Sequence, residues 1–358
     1  MTYVLRFLSA LCLFAILAKG NVLLDAYSNT VLVLGYRVLL VFSPLLIRWV
    51  GHSAGGVCFL AAAGGAVLWT VPGTPVHLMA ALLVGLGLSV GGYVLKATAA
   101  ESPSGASWNK IALNGGSLLA GVYVALMDPT WGVIGFLAPL IAVLALSGAL
   151  SLWAVRGDTG RLGPRHDVGP ETTGRHKAGW SLLGIAIGIK LFAVFSILPQ
   201  YLLLTSGELP AWYGYLISLN AAVVILLQKP VMSLITAGGS TQAREKFVLA
   251  LLAACMVVLA TPSLFRVELL PGALLWITLC SVIECAASYL DVAASRAACL
   301  FHKEAAAGVG AGLCVALSRF AGDIGPELIG GVGLACIAGG ALCLYGGRAR
   351  ADQVAVAA

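Results

Sequence analysis

The chain has 358 residues, of which 60% are hydrophobic and only 10% charged, and its mean hydropathy is +0.98. Soluble domains contain roughly a quarter charged residues, so this composition excludes a soluble globular protein. The net charge is +6, and most charged residues lie between the apolar runs. Such a distribution indicates membrane topology and not nucleic-acid binding. The sequence therefore predicts an all-α polytopic membrane protein.

Apolar runs recur along the whole chain at the roughly 17–25 residues that a bilayer-spanning helix needs. The first six predicted spans lie at 3–25, 29–50, 54–72, 75–97, 109–127 and 131–154. The other six lie at 180–204, 209–235, 247–264, 269–292, 304–327 and 329–346. We expect 12 transmembrane helices in two six-helix pseudo-repeats around a central cavity. The N-terminal half is 1–155, a cytoplasmic central loop is 156–179, and the C-terminal half is 180–358.

The distribution of lysine and arginine sets the expected orientation, because cytoplasmic loops retain these residues. With the N-terminus inside, the cytoplasmic segments hold Arg48, Lys96, Lys110, Arg156, Arg161, Arg165, Arg175, Lys177, Arg244, Lys246, Arg296, Lys303, Arg348 and Arg350. Both termini are therefore expected to be cytoplasmic, and the first apolar run to be a retained helix, not a signal peptide. Short loops and an Ala/Gly/Leu-rich composition are typical of bacterial inner-membrane proteins. We therefore expect the protein in the bacterial plasma membrane.

Motifs of soluble chemistry are missing from the sequence. It contains no Walker loop, HExxH or GxSxG motif in a usable context. The nine cysteines show no CxxC pair or zinc spacing and are interpreted as small buried side chains, and the five histidines are dispersed. We expect no enzyme activity, cofactor, metal site or ATP-binding module. The expected partners are a small-molecule substrate, protons and the lipid bilayer, without nucleic acid.

Ionisable residues inside apolar runs are the main functional signal, because a charge at the bilayer centre costs about 2.5–3.5 kcal/mol on insertion scales. Lys190 lies about ten residues, roughly 15 Å, from the inner end of the seventh span. Glu284 lies at a similar depth in the tenth span, and Asp291 follows seven residues later on about the same helix face. The candidate substrate and proton-coupling residues are Lys190, Glu284, Asp25, Arg37, Lys19 and Asp291.

Each candidate also has a structural interpretation. The charges at 190 and 284 form either a functional site or an ion pair that locks two helices. Lys19 and Asp25 can mark the membrane interface, and Arg319 and Asp323, spaced i,i+4, can form an ordinary intrahelical ion pair.

Gly184 and Gly188 form a small-xxx-small pair, which predicts close packing of the seventh helix against a neighbour. Lys190 is about 200° around the helix from Gly188, so the lysine is expected to point elsewhere, into a polar interior.

Two stretches resemble the major facilitator superfamily. "WYGYLISLNAAVVILLQKPVMSLI" resembles helix eight, especially of the drug/proton antiporter-like branch, and "SRFAGDIGPELIGG" resembles helix eleven. The loop between the second and third spans, "SPLLIRWVGHSAG", resembles the family's signature loop and retains Arg48 and Gly51. Three positions depart from the family pattern. In the signature loop, Ile47 stands where the family has an aspartate and His52 where it has an arginine, and in helix four Ala81 stands where the family has an arginine. The Gly-Pro of the antiporter helix five is also absent.

The resemblance implies that helices one, four, seven and ten line a cavity, so Lys190 and Glu284 would face it. We interpret a second set of residues as conformational or structural: Arg48, Gly51, Arg319, Asp323, Gly325 and Pro326.

The expected function is a proton-coupled secondary active transporter of a small organic solute, an exporter that works by alternating access between its halves. Glu284 is the first choice for the protonatable group and Asp25 the second, because desolvation favours the protonated carboxyl and a nearby cation opposes this. Lys190, with Arg37 and Lys19, indicates an anionic or zwitterionic substrate. One alternative is an importer or exporter of an organic anion or metal-chelating metabolite. Others are a transport-inactive receptor or scaffold, or a membrane-embedded enzyme.

Overall fold

The computed structural model describes residues 1–23, 31–32, 35–36, 38–126, 132–156, 173–207, 210, 212–320 and 322–346. Within these ranges it describes no side chains at 18–23, 44–45, 48, 52, 125, 155–156, 194–196, 214, 217, 319–320 and 323. The described residues form helices joined by short turns, and no strand occurs among them. The all-α fold class is therefore confirmed.

The helices follow the predicted spans in chain order. The first six are α1 (Thr2–Leu23), α2 (Ser43–Val50, after a 3-10 turn at Leu39–Phe42), α3 (Ala54–Leu68), α4 (Thr74–Ala99), α5 (Pro103–Leu126) and α6 (Gly132–Arg156). The next six are α7 (Gly174–Ser206), α8 (Tyr213–Ala237), α9 (Thr241–Ala260), α10 (Leu270–Arg296), α11 (Leu300–Phe320) and α12 (Gly325–Tyr345). Most predicted spans correspond to one helix. The ninth also covers part of a short helix at Pro262–Phe265, and the second is compared only over its described part.

Six helices in the described part of the chain are long and apolar enough to cross a membrane, namely α4, α6, α8, α10, α11 and α12. The two parts of α7, Gly174–Ala193 and Ile197–Ser206, are bent by 45° to each other and add a seventh span if they cross together. Pro199 lies inside this helix and cannot donate to the carbonyl four residues earlier, which explains the bend. The chain is a multi-pass membrane protein.

Contacts divide the chain into two compact units, Met1–Asp167 with Val224–Gln228, and Val168–Val223 with Lys229–Ala358. In the first unit, apolar side chains of α1, α3, α4 and α6 form a continuous core that includes Leu5, Phe59, Leu88, Leu140 and Leu144. Glycines bring these helices together, as they do in membrane helix packing.

In the second unit, α7 and α11 are in backbone contact along a seam of three glycines. A methyl group added at Gly184 would overlap the carbonyl oxygen of Lys303, and one added at Gly188 would overlap that of Ala307. From the other side, a methyl group at Gly310 would overlap the carbonyl oxygen of Ile185. The close packing predicted from Gly184 and Gly188 is confirmed, and its partner is α11.

The boundary between the last two helices differs from the prediction. The eleventh span was placed at 304–327, whereas α11 ends at Phe320 and α12 begins at Gly325. Gly322 has a φ of +58° between them, and Pro326 lies in the first turn of α12, where its missing N–H has no helical acceptor to lose. Gly325 and Pro326 are both buried and start the twelfth helix instead of ending the eleventh.

Candidate functional site

Lys190 lies near the middle of α7 and is only 2% exposed. Its neighbours Ala186, Ile187, Ile189 and Ala193 are buried apolar residues. Because Gly188 faces α11, the lysine projects from another side of α7 and reaches α10. Its Nζ atom donates to Oε2 of Glu284 at 2.5 Å.

Glu284 lies near the middle of α10 and is 8% exposed. A hydrogen bond between two ionised groups is shorter and stronger than a neutral one, which matches the short contact with Lys190. A buried pair of this kind is strongly destabilised when one partner is lost, because the other charge stays unpaired. Glu284 is therefore the ion-pair partner of Lys190 in this structure.

A second polar contact joins α10 to α8 one turn before Glu284. The Ser281 hydroxyl donates to Oδ1 of Asn220 at 2.7 Å, and both residues are buried. Asn220 therefore takes part in a hydrogen bond between two helices. The ion pair and this bond connect α7, α8 and α10 within one unit.

Two thiols lie beside the ion pair. Cys255 of α9 and Cys280 of α10 are buried, and both lie close enough to Lys190 and Glu284 for an electrostatic interaction. None of the nine cysteines, all of which lie in the described ranges, forms a disulfide, and seven are buried, as expected of small buried side chains. Among the described residues, His, Cys, Asp and Glu form no group of three that could hold a metal ion.

Asp291 belongs to a separate charge cluster. Its Oδ1 atom accepts from Nζ of Lys303 at 2.6 Å, and the same Nζ donates to Oε1 of Glu304. Lys303 is 0% exposed and Glu304 is 2% exposed. The sequence places Asp291 on about the same face of its helix as Glu284, and its described ion pair is with Lys303 of α11. The sequence also places Lys303 just before a span that starts at 304, whereas α11 begins at Leu300 and includes Lys303, which is buried.

The first unit contains a buried cation that the sequence analysis did not single out. Arg6 of α1 is 5% exposed, and its Nη1 atom donates to the carbonyl oxygen of Gly92 on α4 at 3.3 Å. A methyl group at Gly92 would lie 2.7 Å from this nitrogen, so the glycine makes room for the guanidinium. The sequence could have identified Arg6, since it is a charged residue inside the first predicted span.

The second unit also holds a cavity of about 320 Å³ between α7, α11 and α12. Its polar lining comes from Gln200, Tyr201 and Thr205 of α7 and from Ser318 of α11. Cavities of roughly 300–1,000 Å³ accommodate small organic ligands. The position of this cavity was not predicted from the sequence, because its walls come from three separate helices.

The remaining predicted site residues are placed as follows. Asp25 and Arg37 lie outside the described residues. The backbone is described for four more of these residues, but their side chains are not. These residues are Lys19 in α1, Arg48 in α2, Arg319 in α11, and Asp323 in the 3-10 turn Gly322–Ile324. Gly51 ends α2 with a φ of +64°, a conformation that glycine adopts without steric cost.

No family model matches the chain, and comparison with curated proteins finds no significant relative. Solved structures do match over nearly its full length, at low sequence identity. The human organic anion transporter MFSD10 (TETRAN) is 14% identical with a TM-score of 0.61, covering 95% of this chain and 97% of its own. The Escherichia coli fucose:proton symporter FucP is 14% identical with a TM-score of 0.63, covering 96% of each chain.

The proton:xylose symporter XylE, bound to 6-bromo-6-deoxy-D-glucose, is 12% identical with a TM-score of 0.65, covering 96% of this chain and 95% of its own. FucP and XylE are described as major facilitator superfamily proteins. The chain therefore has the fold of major facilitator superfamily transporters.

Proposed function

We propose that the protein is a proton-coupled secondary transporter of a small organic solute, and that Lys190 and Glu284 form its coupling site. One observation carries this proposal: two opposite charges, far from the ends of α7 and α10, are buried in direct contact. Ionisable groups inside membrane helices are rare and mark substrate or proton pathways by default. The fold supports it, because the similar solved structures are transporters.

Protonation of Glu284 is the proposed switch. A neutral carboxyl no longer compensates the ammonium of Lys190, and a buried charge without a partner is costly. Lys190 then requires another anionic group, which the substrate supplies. Proton uptake and substrate binding are thereby linked, and each shifts the balance between two conformations by its differential affinity for them. This argument favours a substrate that carries an anionic group, either an organic anion or a zwitterion.

The direction of transport is part of the proposal. The helix-eight resemblance to the drug/proton antiporter-like branch favours export, whereas FucP and XylE are proton symporters. We propose export by alternating access in which the two units change their arrangement. The lysine and arginine distribution supports a plasma-membrane protein of the bacterial inner-membrane type with cytoplasmic termini.

The test uses proteoliposomes with an internal pH dye and an imposed proton gradient. The added compounds are tetraphenylphosphonium, succinate and the dipeptide alanylalanine, which represent a lipophilic cation, an organic anion and a zwitterion. The proteins are wild type, Glu284→Gln, and Glu327→Gln as a control carboxyl that is exposed in the first turn of α12. Empty liposomes correct for passive permeation.

The proposal expects compound-dependent proton flux in wild type and Glu327→Gln, and none in Glu284→Gln. Equal flux in all three proteins would remove Glu284 from the coupling step. Substrate flux without proton movement would replace coupling by uniport. Binding of a compound without any flux would favour the transport-inactive receptor.

A further inference from the structure

Cations from two neighbouring helices lie at the C-terminal end of α12. In the first turn of α7, Nη2 of Arg175 donates to the carbonyl oxygen of Leu342 at 2.8 Å. In α9, Nζ of Lys246 lies 5.7 Å from the ring centre of Tyr345. Leu342 and Tyr345 are about one helical turn apart near the end of α12. The last turns of α12 are therefore in contact with one positive charge from α7 and one from α9.

Both cations keep hydrogen-bond donors for a further partner. A guanidinium has five N–H groups and an ammonium has three, which is more than the described contacts use. Both residues are exposed, and neither forms an ion pair in the described part of the chain. The carboxylate next in sequence to Lys246 is that of Glu245, whose Oε2 atom accepts from the Tyr345 hydroxyl at 2.7 Å. Arg175 and Lys246 are therefore available to an anionic ligand.

Helix dipoles do not explain the position of both cations. Arg175 lies in the first turn of α7 and Lys246 in the second turn of α9, close to helix N-termini that carry partial positive charge. Neither helix has an acidic residue in its first turn. The bond from Arg175 stabilises the C-terminus of α12, but Lys246 contacts an aromatic ring there. An anion beside the two cations would also be attracted by both N-termini.

Exposed apolar side chains lie directly beside the two cations. Leu342 is 67% exposed, and Phe247, which follows Lys246 in α9, is 52% exposed. The helix α12 is long and apolar enough to cross a membrane, so its exposed face is in contact with lipid acyl chains. Besides Leu342, this face includes residues spaced three or four apart along the helix, namely Leu328, Gly331, Ala335 and Ala338.

We propose that Arg175 and Lys246 bind the phosphate group of an anionic phospholipid whose acyl chains lie along the exposed face of α12. The guanidinium can hold two phosphate oxygens with parallel hydrogen bonds, and the ammonium adds a point charge. A phospholipid matches both the cations and the apolar face, whereas a soluble phosphate compound matches only the cations. The lysine and arginine distribution assigns this end of α12 to the cytoplasm, and the cytoplasmic leaflet carries anionic lipids. The lipid site is independent of the proposed transport function.

Native mass spectrometry of the delipidated full-length protein in detergent tests the lipid site, because it counts bound molecules. The probes are dioleoylphosphatidylglycerol, dioleoylphosphatidylcholine and glycerol 3-phosphate. The first two share their acyl chains and differ in net charge, and the third has a phosphate without acyl chains. The variants are Arg175→Gln, Lys246→Gln and the double variant. Arg296→Gln is the matched control, because Arg296 is an exposed cation in the last turn of α10.

The wild type should bind one phosphatidylglycerol more tightly than phosphatidylcholine. Each single variant should weaken phosphatidylglycerol binding about fivefold, which is the contribution of one cation near a membrane surface. The double variant should weaken it about 25-fold if the two contributions add. Phosphatidylcholine binding should change less in these variants, and Arg296→Gln should bind both lipids as wild type does. Size-exclusion profiles establish that each variant is folded.

Four results would overturn the lipid site. Equal affinity of wild type for the two lipids would remove the selectivity, and unchanged phosphatidylglycerol binding in the double variant would remove the two residues. A loss as large in Arg296→Gln would indicate a diffuse positive surface instead of a site. Glycerol 3-phosphate binding as tight as that of phosphatidylglycerol would replace the lipid by a soluble phosphate compound. If one single variant misfolds, the other still decides, since each removes one of the two charges.

Discussion

Glu284 and Asp291 lie seven residues apart on one face of α10, yet each is bound by a lysine from a different helix. Lys190 of α7 contacts Glu284 at 2.5 Å, and Lys303 of α11 contacts Asp291 at 2.6 Å. Because α7 and α11 are also in backbone contact through Gly184 and the Lys303 carbonyl, the three helices form one charged assembly within the second unit. Stability and proton coupling are therefore expected to depend on the same few residues.

The first prediction concerns the ion pair between Lys190 and Glu284. Lys190→Met and Glu284→Met should each lower the free energy of unfolding by about 3–5 kcal/mol, because each removes the ion-pair partner of a buried charge. The double variant should recover much of this loss, since no charge remains unpaired. Thermal or denaturant unfolding in detergent gives the four free energies of the double-mutant cycle. Additive single effects would show that the two side chains do not interact in solution.

The second prediction concerns the glycine seam between α7 and α11. Gly188→Ala should destabilise the protein by about 1–3 kcal/mol, because the added methyl group overlaps the backbone of Ala307. Gly312→Ala is the matched control on α11, where no heavy atom lies within 4 Å of the added methyl. It should be neutral or stabilising by about 0.4–1 kcal/mol. Equal melting temperatures for the two variants would argue against the close α7–α11 contact.

The third prediction concerns the hydrogen bond between α8 and α10. Ser281→Ala and Asn220→Ala should show a coupling free energy of about 0.5–1.5 kcal/mol in a double-mutant cycle. Thr278→Ala is the control on the same helix, because the exposed Thr278 hydroxyl donates only to the carbonyl of Leu274 in the described contacts. Its coupling to Asn220→Ala should be near zero. A coupling as large for Thr278 as for Ser281 would refute the bond.

The fourth prediction concerns the end of α2. Gly51→Ala should cost about 1–2 kcal/mol, because a side chain disfavours the φ of +64° at this position. Gly51→Asn should cost about as much, since the ψ of −140° places this residue outside the left-handed helical region that asparagine tolerates. Gly64→Ala in α3 is the control, with open space around the added methyl and no positive φ. Unfolding of the three variants in detergent ranks them, and a neutral Gly51→Ala would contradict the glycine's conformational role.

The sequence alone placed most of the described helices, although it misplaced the boundary between α11 and α12. The span predicted at 75–97 is α4 at Thr74–Ala99, and the span at 269–292 is α10 at Leu270–Arg296. Hydropathy along the chain fixes such segments because every backbone group in a membrane span must be satisfied within its own helix. The same local argument singled out Lys190 and Glu284, since each is a charge in the middle of an apolar run.

The tertiary structure decided which charges meet. Lys303 lies four residues into α11, near a helix end, where a lysine in the sequence is indistinguishable from a loop charge. Only the packing of Gly184 against the Lys303 backbone buries it and directs its ammonium to Asp291. Helical periodicity determines which residues share a face, as it did for Glu284 and Asp291. It does not determine which neighbouring helix covers that face, because that choice depends on contacts between residues distant in sequence.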